Sequence, residues 1–247
     1  MHRFFINKEN IKGNLLVIEG EDVKHIKNVL RLNIDDKINV CDGEGSDYLV
    51  KISEISSKDI KCKIIRKYDT VKTPLEIVLY QGMPKSAKMD LIIQKTTELG
   101  VSKIIPVMTD RTVVKINNKK KEKKKLTRWE KIATEAAKQS KRGFIPKVEG
   151  IINFKDMINK LSKEENIIVP YENENNIGLK RVLKNVEGNK INIIIGPEGG
   201  FEEKEIEKLQ EINSNIITLG PRILRTETAG FTTLAIVMYE LGDLGVI

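Results

Sequence analysis

Histidine and cysteine are almost missing from this chain of 247 residues, which contains only His2, His25, Cys41 and Cys62. No pair among them has metal-ligand spacing, so the sequence offers no structural zinc site. A Ser-His or Cys-His hydrolase is disfavoured on the same ground, because only His25 lies in a segment with an ordered pattern. The chain is long enough to bury a sizeable core without a lone disulfide, and both cysteines read as cytosolic thiols. The longest apolar stretch near the C-terminus, Ala229 to Tyr239, is interrupted by Gly230, Thr232 and Thr233 and is too short for a membrane span. The opening MHRFFINKEN lacks the apolar core and cleavage site of a secretion signal, so a cytoplasmic protein is expected.

Charge, by contrast, is plentiful and uneven. Residues 103–147 hold 15 Lys/Arg and 4 Asp/Glu, a net of +11 in a chain of net +8, leaving −3 elsewhere. Such a local excess points to a polyanion partner. The run KINNKKKEKKK (115–125) reads as a mobile, solvated loop. The stretch after it carries Arg128, Lys131, Lys138, Lys141 and Arg142 in a helix-like pattern.

Residues 1 to about 70 read as short strands (RFFI, NLLVI, KINV, DYLVKI, IKCKIIR) with one helical piece from Glu21 to Leu32. Asp42-Gly43 and Gly45-Ser46 mark a hairpin between KINV and DYLVKI. Many short strands with one helix predict a small, partly closed β-barrel, a frequent frame for nucleic-acid binding. A break falls near Thr73-Pro74. Beyond it strands and helices alternate: LEIVLY, KIIPV, NIIVP, INIII and NIITL, with helices at about 88–99 and 126–141. This α/β alternation predicts a parallel sheet whose ligands sit beyond the carboxyl ends of the strands.

At one such end stands INIIIGPEGGFEEKE (191–205). Its strand, glycine loop and helix have the layout of a phosphate-binding turn, but there is no Gly-Lys-Ser/Thr and no G-x-G-x-x-G, and Glu198 would repel a phosphate. The loop reads equally as a cradle for a cationic ligand or as a turn that needs glycine for geometry alone, with Glu198 a helix-start charge. Thr226 reads as the N-cap of the last helix, and His25 as a half-buried barrel histidine.

Four pieces together, KMDLIIQKTTELG (88–100), RWEKIATEAAKQSKR (128–142), GPEGGF (196–201) and LGPRILRTETA (219–229), resemble the bacterial 16S ribosomal RNA uridine N3-methyltransferases of the SPOUT superfamily. HRFF (2–5) and HIKNVLR (25–31) resemble that family's N-terminal RNA-binding domain. The resemblance implies a PUA-like β-barrel over residues 1–72 and a trefoil-knotted methyltransferase domain over 73–247. It also implies a homodimer, S-adenosylmethionine as cofactor, 16S ribosomal RNA of the small ribosomal subunit as partner, and neither metal nor membrane. The cofactor would be held by Tyr171, Glu172, Gly196, Pro197, Glu198, Gly199, Gly200, Leu219, Gly220, Ile223, Leu224, Thr228 and Ala229. Arg225, Glu198 and Glu227 are the candidate catalytic groups. Arg3, Arg31, Arg128, Lys131, Gln139, Arg142 and Arg222 are the candidate RNA contacts. A SPOUT ribose 2′-O-methyltransferase and a non-enzymatic ribosome-assembly factor are the competing readings.

Overall fold

The structure, a computed structural model, describes residues 3–70, 73–85, 87–114 and 118–246. The chain divides into two compact units, Met1–Lys72 with Ala137–Ile145, and Thr73–Ala136 with Pro146–Ile247. Residues 137–145, expected in the second domain, pack with the first. The reason is local chemistry. The Cys41 thiol donates to the Gly143 carbonyl at 3.2 Å, Arg3 donates to the Lys141 carbonyl at 2.6 Å, and Lys138 pairs with Asp22 at 3.0 Å.

The first unit is a curled sheet. Its elements are β1 (Arg3–Phe5), β2 (Ile11–Lys12), β3 (Leu15–Glu19), α1 (Glu21–Lys24, continued by a π-helical turn over His25–Val29), β4 (Lys37–Cys41), β5 (Ser46–Ile55) and β6 (Asp59–Asp69). The strand order is β1-β4-β5-β6-β3-β2, antiparallel except where β1 runs parallel to β4. Alternation along the strands sends Ile38, Val40, Val50, Ile52, Leu16 and Ile18 inward, all at most 1% exposed. Burying each side chain of that size is worth about 1.5–3 kcal/mol. The β4–β5 turn is held by Asp42, whose carboxylate accepts from the backbone N–H of Glu44 and of Ser46, as turn aspartates do. Cys41 and Cys62 are buried and unpaired, and burial pushes the Cys62 thiol up to about 12. His25 is exposed and meets the Phe4 ring edge-on at 6.3 Å, which corrects its half-buried reading.

The second unit is an all-parallel sheet with helices, as the alternation predicts. It comprises β7 (Glu76–Gly82), α2 (Lys88–Glu98), β8 (Lys103–Met108), α3 (Lys119–Gln139), β9 (Lys147–Val148), β10 (Ile152–Asn153), α4 (Phe154–Leu161), β11 (Ile167–Pro170), α5 (Leu179–Leu183), β12 (Lys190–Ile195), α6 (Glu203–Glu211), β13 (Asn215–Ile217) and α7 (Thr226–Glu240). The order β10-β8-β7-β12-β11-β13 places β7 and β12 at the centre, where apolar runs such as INIII are buried throughout. Of the expected mobile lysine loop, Lys119–Lys125 instead form the first two turns of α3. Straight-chain lysines are good helix formers, and Trp129, Ala133, Ala136 and Ala137 give the helix a buried stripe to hold it. Lys115, Ile116 and Asn117 lie outside the described residues.

The end of the chain makes an unusual return. After β13, at the edge beyond β11, the backbone comes back to the sheet's centre, where the Thr226 hydroxyl donates to the Gly196 carbonyl and accepts from the Gln81 amide at 2.9 Å. Gly196 follows β12, and Gln81 lies in β7. Thr226 is therefore the first helical residue and a buried latch. It is not the cap; Arg225 takes the N-cap position and makes no side-chain cap.

Candidate active site

The return of the chain closes a cavity of about 570 Å³ at the carboxyl ends of β11, β12 and β13. Its volume is in the range of small-molecule sites. Three segments distant in sequence form the walls: residues 170–175, the GPEGGF loop, and residues 218–229. Of the expected cofactor contacts, Tyr171, Glu172, Gly196, Pro197, Glu198, Gly200, Leu219, Gly220, Ile223, Leu224 and Ala229 line it, as do Arg222 and Arg225. Gly199 and Thr228 do not.

The glycines have distinct tasks. Gly200 has φ +69°, and a Cβ there would run into the Glu172 carboxylate. Gly220 has φ +105°, with nothing within 4 Å of a built Cβ, so its backbone borders open space. Gly199 faces away from the cavity. A Cβ on it would meet Arg111 at 3.1 Å, and Arg111 donates to the Gly199 carbonyl at 2.9 Å while gripping Glu202 through Nε and Nη2. Glu202 in turn caps α6 in a reciprocal box with Glu205. The loop is thus braced from behind by β8's exit segment.

Gly82, at the end of β7, was not singled out from the sequence. A Cβ there would sit 2.5 Å from the Pro197 nitrogen, so only glycine lets β7 and the loop approach this closely. A glycine closing an apolar strand was the available signal.

Lys88 opens the KMDLIIQKTTELG segment but was missed as a site residue, because its partners Glu198 and Glu227 lie far along the chain. It lines the cavity at the start of α2 and lies 3.3 Å from Glu198 and 3.2 Å from Glu227. The contact to Glu227 Oε2 is an ion pair without hydrogen-bond geometry, since that buried oxygen has no hydrogen-bond partner. For Glu198, burial works to raise the pKa, but its own backbone N–H, the Lys85 N–H and the Lys88 ammonium together hold it below the usual carboxylate range. The Lys88 pKa is raised, chiefly by Glu227 and further by Glu198, against some burial. The site therefore presents two carboxylates tied through one ammonium, beside the exposed Arg222 and Arg225.

The expected RNA contacts scatter. Arg3 is half-buried, with Phe4 beside it taking the core position, and its guanidinium is already engaged by Asp47 and the Lys141 carbonyl. Arg31 is exposed, with φ +52°. Arg128 pairs with Asp90 at 2.5 Å on an exposed surface. Lys131 and Gln139 are exposed, and Arg142 is half-buried. Among the described residues no group of three His, Cys, Asp or Glu has the arrangement of a metal site.

Comparison with known proteins agrees with this geometry. The RNA methyltransferase domain family matches residues 71–238, and the RNA methyltransferase PUA domain family matches residues 18–65. Ribosomal RNA small subunit methyltransferase E of Bacillus subtilis is 36% identical, with 97% of each chain covered, and that of Aquifex aeolicus is 34% identical over 96% of this chain and 99% of the other. The crystal structure of the Neisseria gonorrhoeae ribosomal RNA small subunit methyltransferase E, bound to S-adenosyl methionine, superposes with a TM-score of 0.86 at 31% identity, covering 98% of this chain and 99% of that one. A cavity walled by the GPEGGF loop and the LGPRILRTETA turn, in a chain related along its whole length to these enzymes, places it in the ribosomal RNA small subunit methyltransferase E family.

Proposed function

We propose that this protein transfers a methyl group from S-adenosylmethionine to N3 of a uridine in 16S ribosomal RNA. The observation that carries the reading is the convergence of the 196–201 loop and the 219–229 turn on one cavity. The cavity's chemistry fits the cofactor. Glu172 and Glu198 favour a cation, and Gly200 and Gly220 leave backbone accessible where side chains would fill the space. When bound, S-adenosylmethionine supplies an electrophilic methyl group on a sulfonium. Gly196, Pro197, Gly200, Leu219, Gly220, Leu224 and Ala229 would hold it, with Tyr171 and Ile223 as apolar cover.

The chain's own groups then have to place a uracil and manage its N3 proton. Arg225 and Arg222, exposed on the cavity wall, are suited to a backbone phosphate and to the anion that forms once N3 loses its proton. Glu198 makes a weak base, because its pKa is depressed, and Glu227 is engaged by the same Lys88 ammonium. The proton accordingly leaves to water, and Arg225 stabilises the anion. Fixing the uracil in line with the reacting methyl is the larger contribution, since positioning alone is worth roughly 7–11 kcal/mol. A stacked, paired uracil is out of reach, so the target nucleotide is unpaired or flipped.

The protein is proposed to act in the cytoplasm as a homodimer. Exposed apolar side chains on and after α7 (Ile236, Tyr239, Leu244 and Val246) support self-association. The domain division at residues 72/73 accords with the Pro74 break and with the two family matches. The deciding experiment incubates the purified protein with small subunits lacking the modification and labelled cofactor, then analyses nucleosides by mass spectrometry. N3-methyluridine is expected. A 2′-O-methylated nucleoside would replace the reading with the ribose alternative, and no transfer with no cofactor binding would leave an RNA-binding factor.

A further inference from the structure

The outer face of the N-terminal sheet carries a line of like charges that the fold alone does not explain. Register places Lys37 opposite Lys51, Lys51 opposite Lys63, Lys63 opposite Leu15, and Leu15 opposite Lys12. Five strands thus contribute one continuous row of four lysines and a leucine that is 50% exposed. The alternate positions Ile38, Val50, Cys62 and Leu16 are buried, so the row faces outward. With strands about 4.8 Å apart, it runs roughly 19 Å.

Like charges directly opposite in a sheet are destabilising. The same sheet shows the ordinary remedy nearby: Lys61 lies opposite Glu54, with an ion pair of 2.8 Å. In the row, Lys51 alone has a counter-charge, Asp35 at 2.8 Å; among the described residues no acidic side chain pairs with Lys12, Lys37 or Lys63. On the same face the next register step sets the exposed Arg66 opposite Leu49. Beyond it Tyr68, 37% exposed, donates from its hydroxyl to Asn39 at 3.3 Å.

We propose that this row is a docking strip for the phosphodiester backbone of the RNA substrate. The inference rests on the ribosomal RNA reading above and extends it to a surface remote in sequence from the methylation motifs. A polyanion relieves the repulsion that the protein leaves uncompensated, and Tyr68 and Leu15 offer apolar surface to sugars and bases. One line of cations on a curled sheet follows a nucleic-acid strand and makes a poor fit to a planar anionic membrane. Contacts of this kind fix register and orientation without reading sequence.

The test measures binding of a 16S ribosomal RNA transcript over a potassium chloride series for wild type, Lys12→Gln/Lys37→Gln/Lys63→Gln, and Lys61→Gln. The triple variant is expected to lower the slope of log affinity against log salt by about two, at roughly 0.7–0.9 per lost phosphate contact. Lys61→Gln should leave the slope in place, because Lys61 already has Glu54. The thermal midpoint of the triple variant should hold or rise as repulsion is removed. An unchanged slope in the folded triple variant overturns the proposal. So does loss of binding to phosphatidylglycerol vesicles with the RNA slope intact. Should the triple variant fail to fold, the three single variants decide: each should lose part of the slope, and three unchanged slopes reject the strip. Binding is read without turnover, so an enzyme that fails to methylate would refute the catalytic reading and leave this measurement standing.

Discussion

The proposed methyl-donor cavity and the proposed lysine row place their chemistry in opposite ways. In the cavity, most of the expected contacts are backbone: glycines at 196, 200 and 220 open it, and Gly82 lets a neighbouring strand come close enough to shape it. In the row, the proposed function resides in side-chain heads projecting from an ordinary sheet. The first arrangement is intolerant of added atoms. The second is tolerant of atoms and sensitive to charge. A site of the first kind fails abruptly on substitution, whereas one of the second kind weakens by increments.

That contrast can be broken at its strongest point. Gly82→Val puts side-chain atoms against the Pro197 backbone; we expect cofactor binding to vanish in calorimetry and folding stability to fall by about 1–3 kcal/mol, as in other overpacked sites. Retained affinity would show that the loop position is adjustable. Next in size, Arg225→Met is expected to lower kcat about a hundredfold or more, the usual cost of removing one group that stabilises a developing anion, with cofactor affinity little changed.

The pH dependence is a sharper probe of the proton's route. With Glu198 and Glu227 tied to Lys88, single-turnover rates should rise about tenfold per pH unit through neutrality, until the uracil itself ionises. A plateau set by a group titrating near pH 5–6 would instead reveal a carboxylate base. The acid limb follows from sign: the pKa of Glu198 is depressed on folding, so its contribution to stability is present above the unfolded value of about 4.3 and is lost as pH falls through the folded value. Stability curves should therefore show this loss only below about pH 4.

Smaller still, Arg111→Ala removes the brace behind Gly199 and is expected to weaken cofactor binding severalfold without unfolding the protein, measured by calorimetry and thermal melting together. The smallest effects belong to Lys12, Lys37 and Lys63 taken singly, each visible mainly as a change in salt dependence.

Much of this arrangement is legible along the chain, for definite reasons. Alternation of strands and helices after Thr73 specifies a parallel sheet, and GPEGGF and LGPRILRTETA mark two walls of one cavity. The third wall, at Tyr171 and Glu172, follows from their position at a strand end. What the sequence conceals depends on strand order. Because β7 and β12 are neighbours although more than a hundred residues separate them, Gly82 meets Pro197 only in the fold. Lys88 finds Glu198 and Glu227 for the same reason. Arg3 looked available for phosphate because nothing local announces its partners, Asp47 and the Lys141 carbonyl. The lysine run read as loop because charge patterning was weighed above helix propensity. The lysine row is invisible until register is known, since its members lie at residues 12, 37, 51 and 63.

The buried Thr226 latch has a bearing on biosynthesis. It joins the last helix to the ends of two central strands, and everything from 218 onward that borders the cavity arrives after the rest of the sheet has been made. A nascent chain still short of that helix owns the glycine loop but only part of an enclosure around it. On the proposed reading, competence to hold the methyl donor is acquired late, when the final segment has emerged and turned back, and incomplete products are expected to be inert toward both donor and ribosome modification.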